Sequence, residues 1–253
     1  MSEESTSGDL VDGDDNGAAW VSRARVRAQF ALRLCVVSLR TRVFIVLRPS
    51  HRYARRGSEF VSSYLKGLHG IEIGAGAHNR FFLDAVNVDR WGGSDTPYKR
   101  HERSQALRAA KVHVVAEGDD LPFQDDSVDF VFSSHVIEHF PDPIRALYEW
   151  VRVARRYVVL IAPHRDRTFD ADRPLTTVDE LLTRHRDGFT SEEDQHWSVW
   201  TCDSFLNMCE AAGLRVVDHQ DPDDKVGNGF AVVIDASIQP GVLRAGSAAG
   251  LSE

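Results

Sequence analysis

Three histidines in this chain follow apolar runs, where strands would end. His135 and His139 come after VDFVFSS, and His164 comes after YVVLIA and a proline. Imidazole titrates near neutrality, so a histidine there can take a proton from a substrate hydroxyl without large perturbation. Asp166, just past His164, is placed to orient an imidazole or to hold substrate. A second group of residues suggests different chemistry. Glu72, Gly74, Gly76 and Asp89 lie within GIEIGAGAHNRFFLDAVNVD, from Gly70 to Asp89. The two glycines allow a close turn that a side chain would obstruct, and such a turn can bring bare backbone N–H groups up to a ligand. Asp89 closes the following apolar segment, where a carboxylate can accept both hydroxyls of a ribose. These residues describe a nucleoside-cofactor site.

Strands and helices must carry them. Ile71 and Ile73 alternate with Glu72 and Gly74, so a short strand is expected before the turn. A compressed helix and a second strand ending at Asp89 should follow. Helices are expected over 58–68, 103–110, 143–153 and 204–212, with Gly213 stopping the last. Further strands are expected over 111–115, 157–162, 214–217 and 230–234. Residues 157–162 are continuously apolar, as in a strand buried on both faces. Residues 164–200 form a polar insertion, read as irregular from 167 onward. Its length after a central strand points to a substrate-facing role. Arg167, Arg173, His196 and Trp197 within it, with Asp166, are the candidate substrate contacts.

A chain of 253 residues can hold one α/β domain with extensions. A net charge of −8 argues against general binding to nucleic acid. The cysteines, Cys35, Cys202 and Cys209, form no zinc or C-x-x-C spacing. No secretory signal is evident, so the cytoplasm is the expected location. No uncharged apolar run is long enough to span a bilayer. Residues 1–19 read as a disordered acidic leader. Residues 20–56 carry ten arginines among apolar residues. They are expected to form helices that pack on the domain or join two copies of the chain, with arginine stems covering apolar surface. An anionic lipid surface is the alternative partner. The catalytic domain is expected over 57–236, followed by a flexible tail over 237–253.

The stretch Glu72-Ile-Gly74-Ala-Gly76, with Asp89 beyond it, resembles the first motifs of class I S-adenosylmethionine (SAM) methyltransferases. Glu117-Gly118-Asp119-Asp120-Leu121-Pro122-Phe123, Ser127-Val128-Asp129 and Ser133-Ser134-His135-Val136-Ile137-Glu138-His139 continue the likeness to the small-molecule, type 11-like members. The resemblance implies a Rossmann-like, doubly wound, seven-stranded and mostly parallel sheet with helices on both faces. It implies SAM as cofactor, with Glu72 near the amino group, the Gly74–Ala75–Gly76 turn under the methionine portion, and Asp89 on the ribose. Arg90, Glu117, Gly118, Asp119, Ser133 and Ser134 complete the implied cofactor contacts. Glu117 and Gly118 lie by the adenine, with Asp119 as the fallback. It also places the reacting methyl near His139, His164 and His135, in that order of preference as catalytic base. His78 stands where the family pattern has a third glycine, so the seat of the methionyl carboxylate differs here.

The expected reaction is methyl transfer to a small molecule, most simply to a hydroxyl of a sugar or secondary metabolite. An N/D-P-P-Y/F motif for nucleobase amines is absent, and no cysteine lies at the expected strand ends. One alternative is an NAD(P)-dependent oxidoreductase, but Asn79 stands where G-x-G-x-x-G needs glycine and no Tyr-x-x-x-Lys pair occurs. Another is a SAM-binding subunit without chemistry. Glu138-His139 also resembles the E-x-x-E-H ligand set of magnesium-dependent small-RNA 2′-O-methyltransferases, with His135 in the first position and His164 as a further ligand. Magnesium prefers oxygen donors, however, and the S-H-V-x-E-H pattern also serves enzymes without metal. No residue is therefore assigned to a metal.

Overall fold

The computed structural model describes residues 56–93 and 95–240. Expectations for residues 1–19, for 20–55 and for 241–253 lie outside the described residues. In chain order the described elements are α1 (Glu59–Leu65), β1 (His69–Ile73), β2 (Asp84–Asp89), α2 (Pro97–Ala106), β3 (Val114–Val115) and β4 (Val128–Ser134). They continue with α3 (Pro143–Val153), β5 (Ala154–Pro163), α4 (Val178–Asp187), α5 (Cys202–Ala211), β6 (Val216–Gln220) and β7 (Gly229–Asp235).

The strands form one seven-stranded sheet in the order β3-β2-β1-β4-β5-β7-β6. β1 pairs in parallel with β2 and β4, and β4 pairs in parallel with β5. β7 runs antiparallel to both β5 and β6. This is the mostly parallel, doubly wound sheet that the motif order implied. Strand order reverses between β1 and β4, so the carboxyl ends of those strands open a crevice.

Alternation along the central strands sets the two layers. Phe130, Phe132, Val159 and Ile161 face Val61 and Leu65 of α1. Val131, Val158 and Leu160 face the opposite way, against Ile144, Leu147 and Trp150 of α3 and Phe205 and Met208 of α5. Each such side chain, fully buried, contributes about 1.5–3 kcal/mol. The 143–153 helix falls where its apolar periodicity placed it, with Asp142 accepting from the Arg145 N–H as its cap.

Four local expectations differ. No helix forms between β1 and β2. Residues 74–83 must return along a five-residue strand, and ten residues in helical form would reach only about 15 Å. A turn over 77–79 and irregular chain make the crossing instead, and Phe81 packs on Phe132 with ring centroids 4.5 Å apart. The helix expected over 103–110 starts earlier, at Pro97, behind the Thr96 cap. Proline at the first helical position is a start signal that the sequence did offer. The third strand shrinks to Val114–Val115. The insertion is not irregular throughout, since it contains α4, capped by Thr177 and closed by Gly188 at φ 65°. Among the described residues no helix is long and apolar enough to cross a membrane.

Candidate active site

The crevice holds a cavity of about 750 Å³. From the ends of β1 and β2 it is lined by Glu72, Gly74, Gly76, Asp89 and Arg90. Glu117, Gly118 and Asp119 also line it, as do Ser134 at the end of β4 and His135 and His139 beyond it. Ala75 and Ser133, also expected at the cofactor, lie outside this lining. The Ala75 N–H donates to Asn87 Oδ1 at 3.1 Å. Ser133 is fully buried within β4.

The glycine turn is close, but its amides are not bare. Gly74 has φ +70°, and a Cβ there would lie 2.8 Å from Val136 Cγ2. Its N–H, however, donates to Val88 O at 2.9 Å. The Ala77 N–H donates to Glu102 Oε2 at 3.1 Å. The expectation that the turn presents several free N–H groups is thus corrected. Without a helix behind the turn, these donors are satisfied within the protein, by the Val88 carbonyl and by the side chains of Asn87 and Glu102. No helix N-terminus stands behind the turn to favour negative charge either.

Carboxylates dominate the rest of the cavity. Burial pushes the Glu72 carboxyl up to about 7, against the pull of Lys225 and Arg80. Asp89 accepts from the Trp91 N–H at 2.9 Å, and its other oxygen lies 3.4 Å from Lys99 Nζ. Arg90 Nε lies 3.1 Å from Glu117 Oε1. The Gly118 carbonyl accepts from Trp150 Nε1 at 2.7 Å, so α3 fixes this end of the cavity. Two carboxylates, able to accept from an amine and from ribose hydroxyls, and a close glycine turn make a set of acceptors that fits SAM.

The histidine wall is built on a sharp turn. His135 sits at φ 55°, and a 3-10 turn follows over Ile137–His139. Glu138 is buried beside the histidines. Its Oε1 lies 3.9 Å from His135 Nδ1 and 3.9 Å from His139 Nε2. Burial pushes the Glu138 carboxyl up to about 8 and the His135 imidazole down to about 4. Burial, with His196 alongside, also holds His139 below its ordinary value, against the pull of Asp194.

Asp194, not Asp166, is the carboxylate at His139: its Oδ1 lies 3.1 Å from His139 Nδ1. Asp166 instead accepts from Arg165 Nε at 2.7 Å, and its N–H donates to His164 Nδ1 at 3.2 Å. His164 lies outside the cavity lining, with Nε2 3.9 Å from Asp221.

The insertion reaches the cavity, through other residues than those singled out. Phe189, Thr190, Ser191, Glu192, Glu193 and Asp194 line it; Asp166, Arg167, Arg173, His196 and Trp197 do not. Arg167 is bound to Asp221, and Arg173 Nη1 donates to Asp170 Oδ1 at 2.6 Å. Arg90 Nη2 donates to Glu192 Oε2 at 2.5 Å, and the Tyr98 hydroxyl donates to Asp194. The acidic cluster Glu192-Glu193-Asp194 was visible in the sequence, but nothing local placed it against Arg90 and His139. His78 and Tyr98 are further lining residues that pattern reading missed.

Residues 71–162 match the family model of a methyltransferase domain. The chain is 52% identical over 88 residues to an uncharacterized methyltransferase of Mycobacterium sp. (strain JLS), covering 34% of each chain. It is 23% identical over 203 residues to the chloroplastic tocopherol O-methyltransferase of Arabidopsis thaliana, covering 76% of this chain and 56% of that one. The first of these matches thus spans about a third of the relative's length. A solved SAM-dependent methyltransferase of Thermotoga maritima, described as a possible histamine N-methyltransferase, is 18% identical with a TM-score of 0.46, over 74% of this chain and 90% of that one. The matched segment carries the glycine turn, Asp89 and the strand before His135, and over residues 71–162 the chain has a class I S-adenosylmethionine-dependent methyltransferase domain.

Proposed function

We propose that this protein transfers a methyl group from SAM to a hydroxyl of a small molecule, of the sugar or secondary-metabolite kind. The observation that carries this reading is the cavity itself. It is lined both by Glu72, Gly74, Gly76 and Asp89, the residues suited to a nucleoside cofactor, and by His139, whose Nδ1 lies 3.1 Å from Asp194 Oδ1. SAM, when bound, supplies an electrophilic methyl. The protein's part is chiefly to align the acceptor and to manage its proton. Asp194 fixes the ring of His139, so that Nε2 is the nitrogen left to take that proton. Glu72 holds the cofactor amine, and Asp89 the ribose, with Arg90, Glu117, Gly118 and Asp119 around the adenine.

Substrate charge follows from how the arginines are spent. Arg167 and Arg173 are neutralised by Asp221 and Asp170. The insertion puts Glu192, Glu193 and Asp194 over the cavity instead. An uncharged, hydroxylated acceptor suits that wall better than a polyanion. The tocopherol relative, by its name an O-methyltransferase, lends weight to oxygen as the acceptor atom.

Calorimetry with SAM and its demethylated product, S-adenosylhomocysteine, is the first test, followed by a labelled-methyl screen of hydroxylated compounds. Binding of NADH without SAM would turn the reading to an oxidoreductase. Tight SAM binding with no methylated product across the screen would favour a binding subunit.

A further inference from the structure

Glu138 has a hydrogen-bonding problem that its own neighbours do not solve. It is 1% exposed, and its Oε2 has no partner. Its Oε1 faces three imidazole nitrogens, His135 Nδ1, His139 Nε2 and His196 Nε2, each at 3.9 Å. That separation is too long for a hydrogen bond. It is about right for two donors sharing an ion, since ligands about 2.1 Å from a metal stand roughly 3.4 Å apart in a tetrahedron and 4.2 Å apart when opposed. Glu138, His139 and His196 each offer one donor atom, all within 4.8 Å of one another.

We propose that Glu138, His139 and His196 form a binding site for one divalent first-row transition-metal ion. Two further contacts support it. His196 Nδ1 lies 2.6 Å from Asp170 Oδ2, and His139 Nδ1 lies 3.1 Å from Asp194 Oδ1. In both rings a carboxylate holds the far nitrogen and leaves Nε2 turned toward Glu138. Carboxylates behind ligating histidines do just this in metal sites, fixing the tautomer and raising ligand basicity. Asp170 is itself buried and held by Arg173 at 2.6 Å, so the support is built, not incidental. His164, earlier considered as a ligand, is not in the group. Two imidazoles and one carboxylate favour zinc, iron, manganese or cobalt over magnesium, which wants oxygen and keeps its waters. His139 also lines the cavity, so the ion would border the acceptor's end and leave room for an oxygen ligand from that side.

This inference stands on side-chain geometry and does not depend on methyl transfer. With an ion bound, His139 is a ligand and not a proton acceptor, so the ion-loaded and ion-free proteins differ in how they treat the acceptor. The test uses the full chain, stripped with chelator and titrated with Zn²⁺ by calorimetry and with Co²⁺ by visible absorption. One ion per chain is expected. Glu138→Gln, which keeps the side chain's volume, and His196→Ala should each weaken binding about a hundredfold or more. Asp170→Asn should weaken it about 10- to 100-fold through the His196 ring. SAM affinity and circular dichroism, unchanged in these variants, show that the fold is intact. His219→Ala, at an exposed position, should bind like the parent. Absence of ion binding by the parent protein, or equal binding by Glu138→Gln and His196→Ala, overturns the site.

Discussion

The backbone N–H of Trp197 donates to the carbonyl of Glu138 at 2.7 Å. This bond joins the end of the insertion to the turn after β4. It brings His196 beside His139, with ring centroids 4.9 Å apart, and lets Asp194 reach the other side of the same imidazole. The insertion is therefore joined to the histidine wall of the cavity, and residues 189–194 line the cavity themselves.

Removing that wall should affect turnover more than cofactor binding. His139→Ala is expected to lower kcat by about two to four orders of magnitude with SAM affinity nearly unchanged. Asp194→Asn, which keeps shape but loses charge at 3.1 Å, should lower it less. Steady-state kinetics on the acceptor found in the screen, with calorimetric SAM binding alongside, checks both. Near-normal turnover in His139→Ala would mean that the protein works by alignment alone.

Asp89 should matter equally for SAM and for S-adenosylhomocysteine, because both carry the same ribose. Asp89→Ala is expected to weaken each by about 1.5–3 kcal/mol, a charged hydrogen-bond acceptor being lost. A loss confined to one of the two ligands would place the ribose elsewhere.

Glu72 predicts a pH dependence. Its folded-state value of about 7 lies above the ordinary 4.5, so the unfolded chain releases this proton first. Glu72 therefore favours the fold below the unfolded value, and that contribution is lost as pH rises from about 4.5 to about 7. Cofactor binding runs the other way. A positively charged amine needs the carboxylate, so SAM affinity should rise between about pH 6 and pH 8. Glu72→Gln should flatten the rise; an unchanged slope would show that Glu72 does not meet the amine.

Trp150→Phe tests the packing that holds the Gly118 end of the cavity. It removes the 2.7 Å hydrogen bond to the Gly118 carbonyl while keeping most of the apolar volume. The cost should be about 1–3 kcal/mol for a buried carbonyl left unpaired, or roughly 2–10 °C in Tm. Thermal unfolding with and without SAM measures it. A drop in SAM affinity in the same variant would tie α3 to the adenine end.

The sequence by itself determined most of the sheet and the meeting of Glu72, Gly74, Gly76 and Asp89 at one cavity. Alternation in β1, the continuous apolar run in β5 and the helical periodicity of α3 are local patterns, each readable within a dozen residues. Glu72, Gly74, Gly76 and Asp89 lie close together in the chain, so their meeting at the strand ends required only a turn and two parallel strands. The tertiary structure alone decided the histidine wall. His135 takes a positive φ and Glu138 is buried, and no pattern at either position announces it. Asp194, His196 and Asp170 reach His139 and Glu138 from far along the chain. Their meeting depends on where α4 and the Trp197 bond carry the insertion. Polar contacts across such distances leave no periodicity in the sequence, because each needs only one residue and its neighbours are free to vary. The same reason explains Arg167 and Arg173. Their charge was plain in the sequence, but only the fold showed it already spent on Asp221 and Asp170.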